Sequence, residues 1–133
     1  AVPLEGPPDL ELALEETRFA AALGEELGAL VVPIPLAITK CQTARPDIVL
    51  RYRNDGHPNQ ICGYLTACVF YSALFDRSPV GLHVDRVIDP KIVDKATPDL
   101  GPDGDPREVV LPDTTRIFLQ QTAWNAIQAF RDL

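Results

Sequence analysis

Apolar residues recur at helical spacing in several parts of the chain, each bounded by residues that start or stop helices. From Asp9 to about Gly28, Phe19, Leu23, Leu27 and Leu30 form an i, i+4 stripe with glutamates opposite. This predicts an amphipathic helix capped near Asp9, stopped by Gly28 and buried along that stripe. Glu15 and Glu16 fall on its early half, where acids suit the helix dipole, and read as a solvated face. From Gln60 to Asp76, ICGYLTACVFYSALF is almost wholly apolar. It is shorter than the ~20 residues of a bilayer span and too uniform for a surface helix, which predicts an interior helix with Phe70, Tyr71 and Phe75 in the core. A closing helix is predicted from about Asp113 to Arg131. Asp113 or Thr114 supplies its cap, Leu119, Ala123, Ile127 and Phe130 are buried, and Trp124 packs at the flank.

Between these helices, LVVPI (Leu30 to Ile34) has the β-branched, apolar character of a buried parallel strand. PLAITKCQTARP holds a short helix ended by Arg45-Pro46, because the residue before proline avoids helical dihedrals. DIVLRY is a second extended apolar stretch, leading into the loop NDGHP. Arg77 to Pro112 is rich in Pro, Gly and Asp and shows no periodicity. Helix, strand, helix, extended segment, loop, helix is the grammar of an α/β fold. So few strands do not close a doubly covered sheet, so residues 1–133 read as a single partial domain. Its parts are a leader (1–8), an α/β segment with the histidine loop (9–83), a Pro/Asp-rich loop region (84–112) and the closing helix (113–133). An incomplete sheet exposes edges that invite association.

Composition narrows the function classes. The 133 residues are 46% apolar and 23% charged, as in a globular chain, and carry a net charge of -7. Nucleic-acid binding is disfavoured, because neutralising phosphates takes clustered Lys and Arg. The N-terminus lacks a signal-peptide pattern. With 13 prolines and no Met, a chain starting at Ala1 reads as processed or as part of a longer sequence. Cys41, Cys62 and Cys68 are odd in number and show no metal-ligand spacing, so they read as buried free thiols and leave the compartment open. No metal or cofactor is implied.

The stretch YRNDGHPNQICGY, Tyr52 to Tyr64, carries the chemistry. A histidine serves as general base near neutral pH when one ring nitrogen faces a nucleophile and a carboxylate holds the other. Asp55 lies two residues before His57 and Asn54 three before; Gly56 permits a sharp turn and Pro58 stiffens the exit. Ser72 and Ser78 lack the strand-to-helix turn that presents a nucleophile, and neither is assigned that role. Cys62, near a helix start where the dipole lowers a thiol pKa, is a weaker candidate than a packing residue. His83 reads as a surface residue. Asp99, Asp103 and Asp105 in DLGPDGDPRE lack calcium-loop spacing and read as a solvated turn.

HPNQICGYLTACVFYSALFDRSPVGL, His57 to Leu82, resembles the histidine block of the SGNH (GDSL-like) hydrolases. LGEELGALVVPIPLAITKC and TRIFLQQTAWNAIQAF are similar to stretches flanking that block. The resemblance implies a flavodoxin-like α/β/α sandwich and hydrolysis of a small-molecule or carbohydrate ester, with His57 as the base. The family spaces its aspartate three before the histidine, where this chain has Asn54, so Asp55 or Asn54 orients the ring. The family's Gly-Asp-Ser nucleophile segment has no counterpart here. The resemblance thus implies the C-terminal part of a serine esterase that supplies the base and is inactive alone. The alternative is a non-catalytic binding or assembly domain derived from that fold.

Overall fold

The computed structural model of the protein describes residues 6–133; the first part of the 1–8 leader, residues 1–5, lies outside the described residues. The described residues form four helices and one pair of short strands. Helix α1 (Leu10–Leu27) begins where the Asp9 carboxylate accepts the Leu12 N–H at 3.0 Å, satisfying an otherwise orphaned donor. It ends at Gly28, whose φ of 65° is the left-handed conformation that glycine adopts without steric cost. Helix α2 (Ile34–Ala44) carries Pro35 in its first turn and stops at Arg45, before Pro46. Helix α3 (Gln60–Phe75) is capped by Asn59, whose Oδ1 accepts the Cys62 N–H at 3.1 Å.

The Pro/Asp-rich region contains two strands that no periodicity announced, β1 (Arg86–Ile88) and β2 (Glu108–Val110). They pair antiparallel with Val87 opposite Val109, and both valines pack against the core. Helix α4 (Asp113–Arg131) follows. Its cap position is Pro112, with no side-chain cap, rather than the expected Asp113 or Thr114. Asp113 already stands in the first turn, where its charge complements the dipole.

The core is built where α3 meets α4. Leu65 and Val69 of α3 and Leu119, Ala123 and Ile127 of α4 are buried together, and α2 adds Leu36, Ala37 and Cys41. One buried polar group spans the helices. Gln120 donates to the Tyr64 hydroxyl at 3.0 Å and to Leu82 O at 2.8 Å, and accepts the Gly81 N–H at 3.2 Å. Full pairing removes the cost of burying the amide. Among the described residues no helix is long and apolar enough to cross a membrane.

This architecture overturns the expected flavodoxin-like α/β/α sandwich: the described residues are mostly helical, with a single two-stranded antiparallel sheet. Leu30 to Pro33 joins no sheet, the Ile34 N–H donating to Val32 O at 2.8 Å in a tight turn about Pro33, and Ile34, expected to finish a strand, opens α2. Prolines at 33 and 35 lack the N–H that a ladder requires. Ile48 to Leu50 likewise belongs to no strand, and Ile48 lies at a bend where its N–H donates to Arg45 O at 3.0 Å. A parallel strand needs a parallel neighbour, and among the described residues neither segment has one; Leu50 O instead accepts the Asn59 N–H, and Arg51 forms an isolated antiparallel bridge with Pro58.

The burial of α1 also differs from expectation. Phe19, Leu23, Leu27 and Leu30 face outward, Phe19 at 74% and Leu27 at 69% exposure. The buried face is made of Ala13, Thr17 and Gly24. Close approach explains the preference for small residues: a Cβ on Gly24 would lie 2.4 Å from Val31 Cγ2. In α3, the expected core residues Phe70 and Phe75 are exposed and Tyr71 is half-buried, its ring tilted against Phe75 with centroids 5.3 Å apart. Cys62, Leu65, Val69 and Ser72 recur three and four apart on the face turned inward.

Candidate functional site

The histidine loop is a closed turn. The Tyr52 N–H donates to His57 O at 2.8 Å, and the Gly56 N–H donates to Tyr52 O at 2.9 Å. Gly56 has a φ of 73°, the left-handed geometry expected of glycine at a sharp reversal. Arg51 Nη1 donates to Gly56 O at 3.0 Å, and Arg51 bridges to Pro58 at the base of the turn. Asn59 then anchors the exit. Its backbone N–H donates to Leu50 O and its side chain donates to Val49 O.

Within this turn Asp55 engages His57 twice. Asp55 Oδ1 accepts the His57 backbone N–H at 3.0 Å, and Asp55 Oδ2 lies 2.9 Å from His57 Nδ1. The His57 side chain is 77% exposed. With Nδ1 held by the carboxylate, Nε2 is the nitrogen free to accept a proton. The His57 backbone N–H, and after it the His57 ring, draw the Asp55 carboxyl below its ordinary pKa despite the opposing effect of desolvation. The group is therefore an anion at neutral pH.

Asn54, three residues before His57, faces elsewhere. Its backbone N–H donates to Asp103 Oδ1 at 3.0 Å, and its side chain donates to Pro102 O at 3.3 Å. The adjacent Arg53 N–H donates to Asp103 Oδ2 at 2.6 Å, while Arg53 Nη2 pairs with Asp105 at 2.9 Å. The Asp103 side chain is thus only 9% exposed, which corrects the solvated-turn reading for that residue. The Tyr52 hydroxyl donates to Asp89 Oδ2 at 2.6 Å. Burial first, and then Asp89, push the Tyr52 phenol above its usual pKa. These supports, Tyr52, Arg53, Asp89 and Asp103, were not singled out in the sequence as a set. The only hint is charge complementarity between RYRN and the acidic loop, which does not specify pairings across about fifty residues.

The other candidates do not converge on His57. Ser72 is buried and donates to Cys68 O at 3.0 Å, and Ser78 Oγ accepts the Val80 N–H at 3.2 Å. All the cysteines are buried and free. Burial dominates the Cys62 pKa and raises it, so the helix start does not make Cys62 a thiolate. Burial pushes Cys41 and Cys68 up to about 11. His83 is exposed. Among the described residues no group of His, Cys, Asp and Glu is placed to hold a metal ion.

Comparison of the chain with protein-family models finds no match, and comparisons with curated proteins and with solved structures find none either.

Proposed function

We propose that this chain supplies the general base of a serine-type ester hydrolase, of the SGNH kind that the His-Pro block resembles. The observation that carries the reading is the contact of 2.9 Å between Asp55 Oδ2 and His57 Nδ1 beside an exposed imidazole. In this role His57 Nε2 takes the proton of an attacking serine hydroxyl and later returns it to the leaving alcohol. Asp55 holds the tautomer and stabilises the imidazolium by its charge. The serine and the oxyanion donors come from another segment or chain, since Ser72 and Ser78 are committed elsewhere. The test is fluorophosphonate labelling of the native polypeptide or assembly that carries this sequence. Labelling at a serine is expected, slowed at least a hundredfold by His57→Ala. Absence of labelling, or equal labelling of the variant, overturns the reading.

A second reading, a binding or assembly domain without catalysis, is favoured by the outward stripe of Phe19, Leu23, Leu27 and Leu30. Contiguous exposed apolar surface of this kind marks association sites. The two readings are compatible if that face docks the segment bearing the nucleophile.

A further inference from the structure

Helix α3 presents a second surface, distinct from the face that packs on α4. Gly63, Ala67 and Tyr71 follow one another at intervals of four and form one wall of a pocket of about 310 Å³. Leu82, Val84 and Val87, on the segment entering and forming β1, make the opposite wall. Such a volume lies at the lower end of small-ligand sites. The space beside Gly63 is open, with no atom of the facing segment within 4 Å of where a Cβ would stand.

The lining chemistry restricts the occupant. Among the described residues no charged side chain lines the pocket. The Tyr64 hydroxyl is already engaged, donating to Val84 O at 2.8 Å and accepting from Gln120 at 3.0 Å. The Cys68 thiol is held protonated at neutral pH by burial. A sugar or an ion placed here would lose its hydration without gaining partners, whereas a hydrocarbon chain would gain by leaving water.

Direction follows from the helix. Gly63 lies in the first turns of α3, and its cap Asn59 is two residues past His57. At 1.5 Å per residue the Gly63–Tyr71 face is about 12 Å long and starts at the end of α3 that follows the histidine loop. We infer that this pocket binds the hydrocarbon part of a short- to medium-chain acyl ester, laid along α3. The acyl assignment rests on the ester-hydrolase reading; the apolar binding site does not.

The test uses the full chain and the neutral fluorophore N-phenyl-1-naphthylamine. Saturable one-to-one binding is expected, with methyl hexanoate displacing the probe at least tenfold better than methyl acetate. Ala67→Trp fills the pocket and should weaken probe binding at least tenfold, as should Val84→Asp. Val84 is 63% exposed, so that variant keeps the test available should Ala67→Trp fail to fold by circular dichroism. Phe19→Ser, on the separate apolar face of α1, should leave binding unchanged. His57→Ala should also leave it unchanged, so the site is tested apart from the base. Absence of saturable binding, equal displacement by both esters, binding retained in the pocket variants, or binding lost in Phe19→Ser overturns the inference.

Discussion

Tyr52 and Asp89, 37 residues apart in sequence, share a hydrogen bond of 2.6 Å that ties the histidine loop to the end of β1. Asp89 also accepts the Lys91 N–H, so the carboxylate fixes its own loop while receiving the phenol. Removing the hydroxyl therefore loosens the histidine turn without touching His57. Tyr52→Phe should cost about 1 kcal/mol, the usual net value of one hydrogen bond. It should also speed amide exchange at Gly56 and His57, whose N–H groups close the turn. Unchanged exchange there would mean that the loop is held by Arg53 and Asn54 alone.

Asp55 determines which ring nitrogen of His57 carries the proton. Nitrogen NMR of the neutral imidazole should show the Nδ1–H tautomer enriched in the native chain, because Asp55 Oδ2 faces that atom. Asp55→Ala should return the ring to the Nε2–H form that free imidazoles favour, whereas Asn54→Ala should leave the tautomer unchanged. The reverse pattern would assign the orienting role to Asn54.

Leu65 is fully buried where α3 meets α4. Truncating such a leucine removes transfer energy and leaves a cavity, so Leu65→Ala should cost about 2–5 kcal/mol by urea unfolding. Phe75→Ala removes a larger side chain and should cost less, because Phe75 is exposed.

Stability should fall at both ends of the pH range. Asp89 has its pKa lowered by the Tyr52 hydroxyl and then by the Lys91 N–H. Its contribution is present above the unfolded value of 3.8 and is lost as pH falls through the lower folded value. The Cys41 and Cys68 thiols go the other way, from 9.0 to about 11. The unfolded chain releases those protons first, so their contribution is present below pH 9.0 and is lost as pH rises towards about 11. Urea midpoints between pH 9 and 11 should therefore drop, and less steeply in Cys68→Ala. Equal slopes would remove the thiol from the explanation.

The outward stripe on α1 should make association concentration-dependent. Sedimentation is expected to show self-association or, at low concentration, a monomer that binds apolar partners. Phe19→Ser should abolish either behaviour while preserving the helical spectrum. A strictly monomeric native chain with no affinity for such partners would leave the exposed stripe without a role.

Features specified within a few residues were legible in the sequence. The Asp9 cap, the Gly28 stop and the Arg45-Pro46 termination act over at most a turn or so of chain, and the structure forms each of them, whereas the sequence left open whether Asp55 or Asn54 meets His57. Cap hydrogen bonds and proline sterics depend on near neighbours, so sequence alone determined these helix ends and the tight turn at His57. Tertiary structure decided which apolar side was covered. The spacing of Phe19, Leu23, Leu27 and Leu30 marked a face of α1, but close packing at Gly24 and Val31 turned the small-residue face inward instead. It also decided that Leu30 to Pro33 would pair with nothing and that Asp103 would grip the histidine loop. Strand pairing, burial and the partners of a loop depend on what arrives from distant parts of the chain, and periodicity carries no record of that.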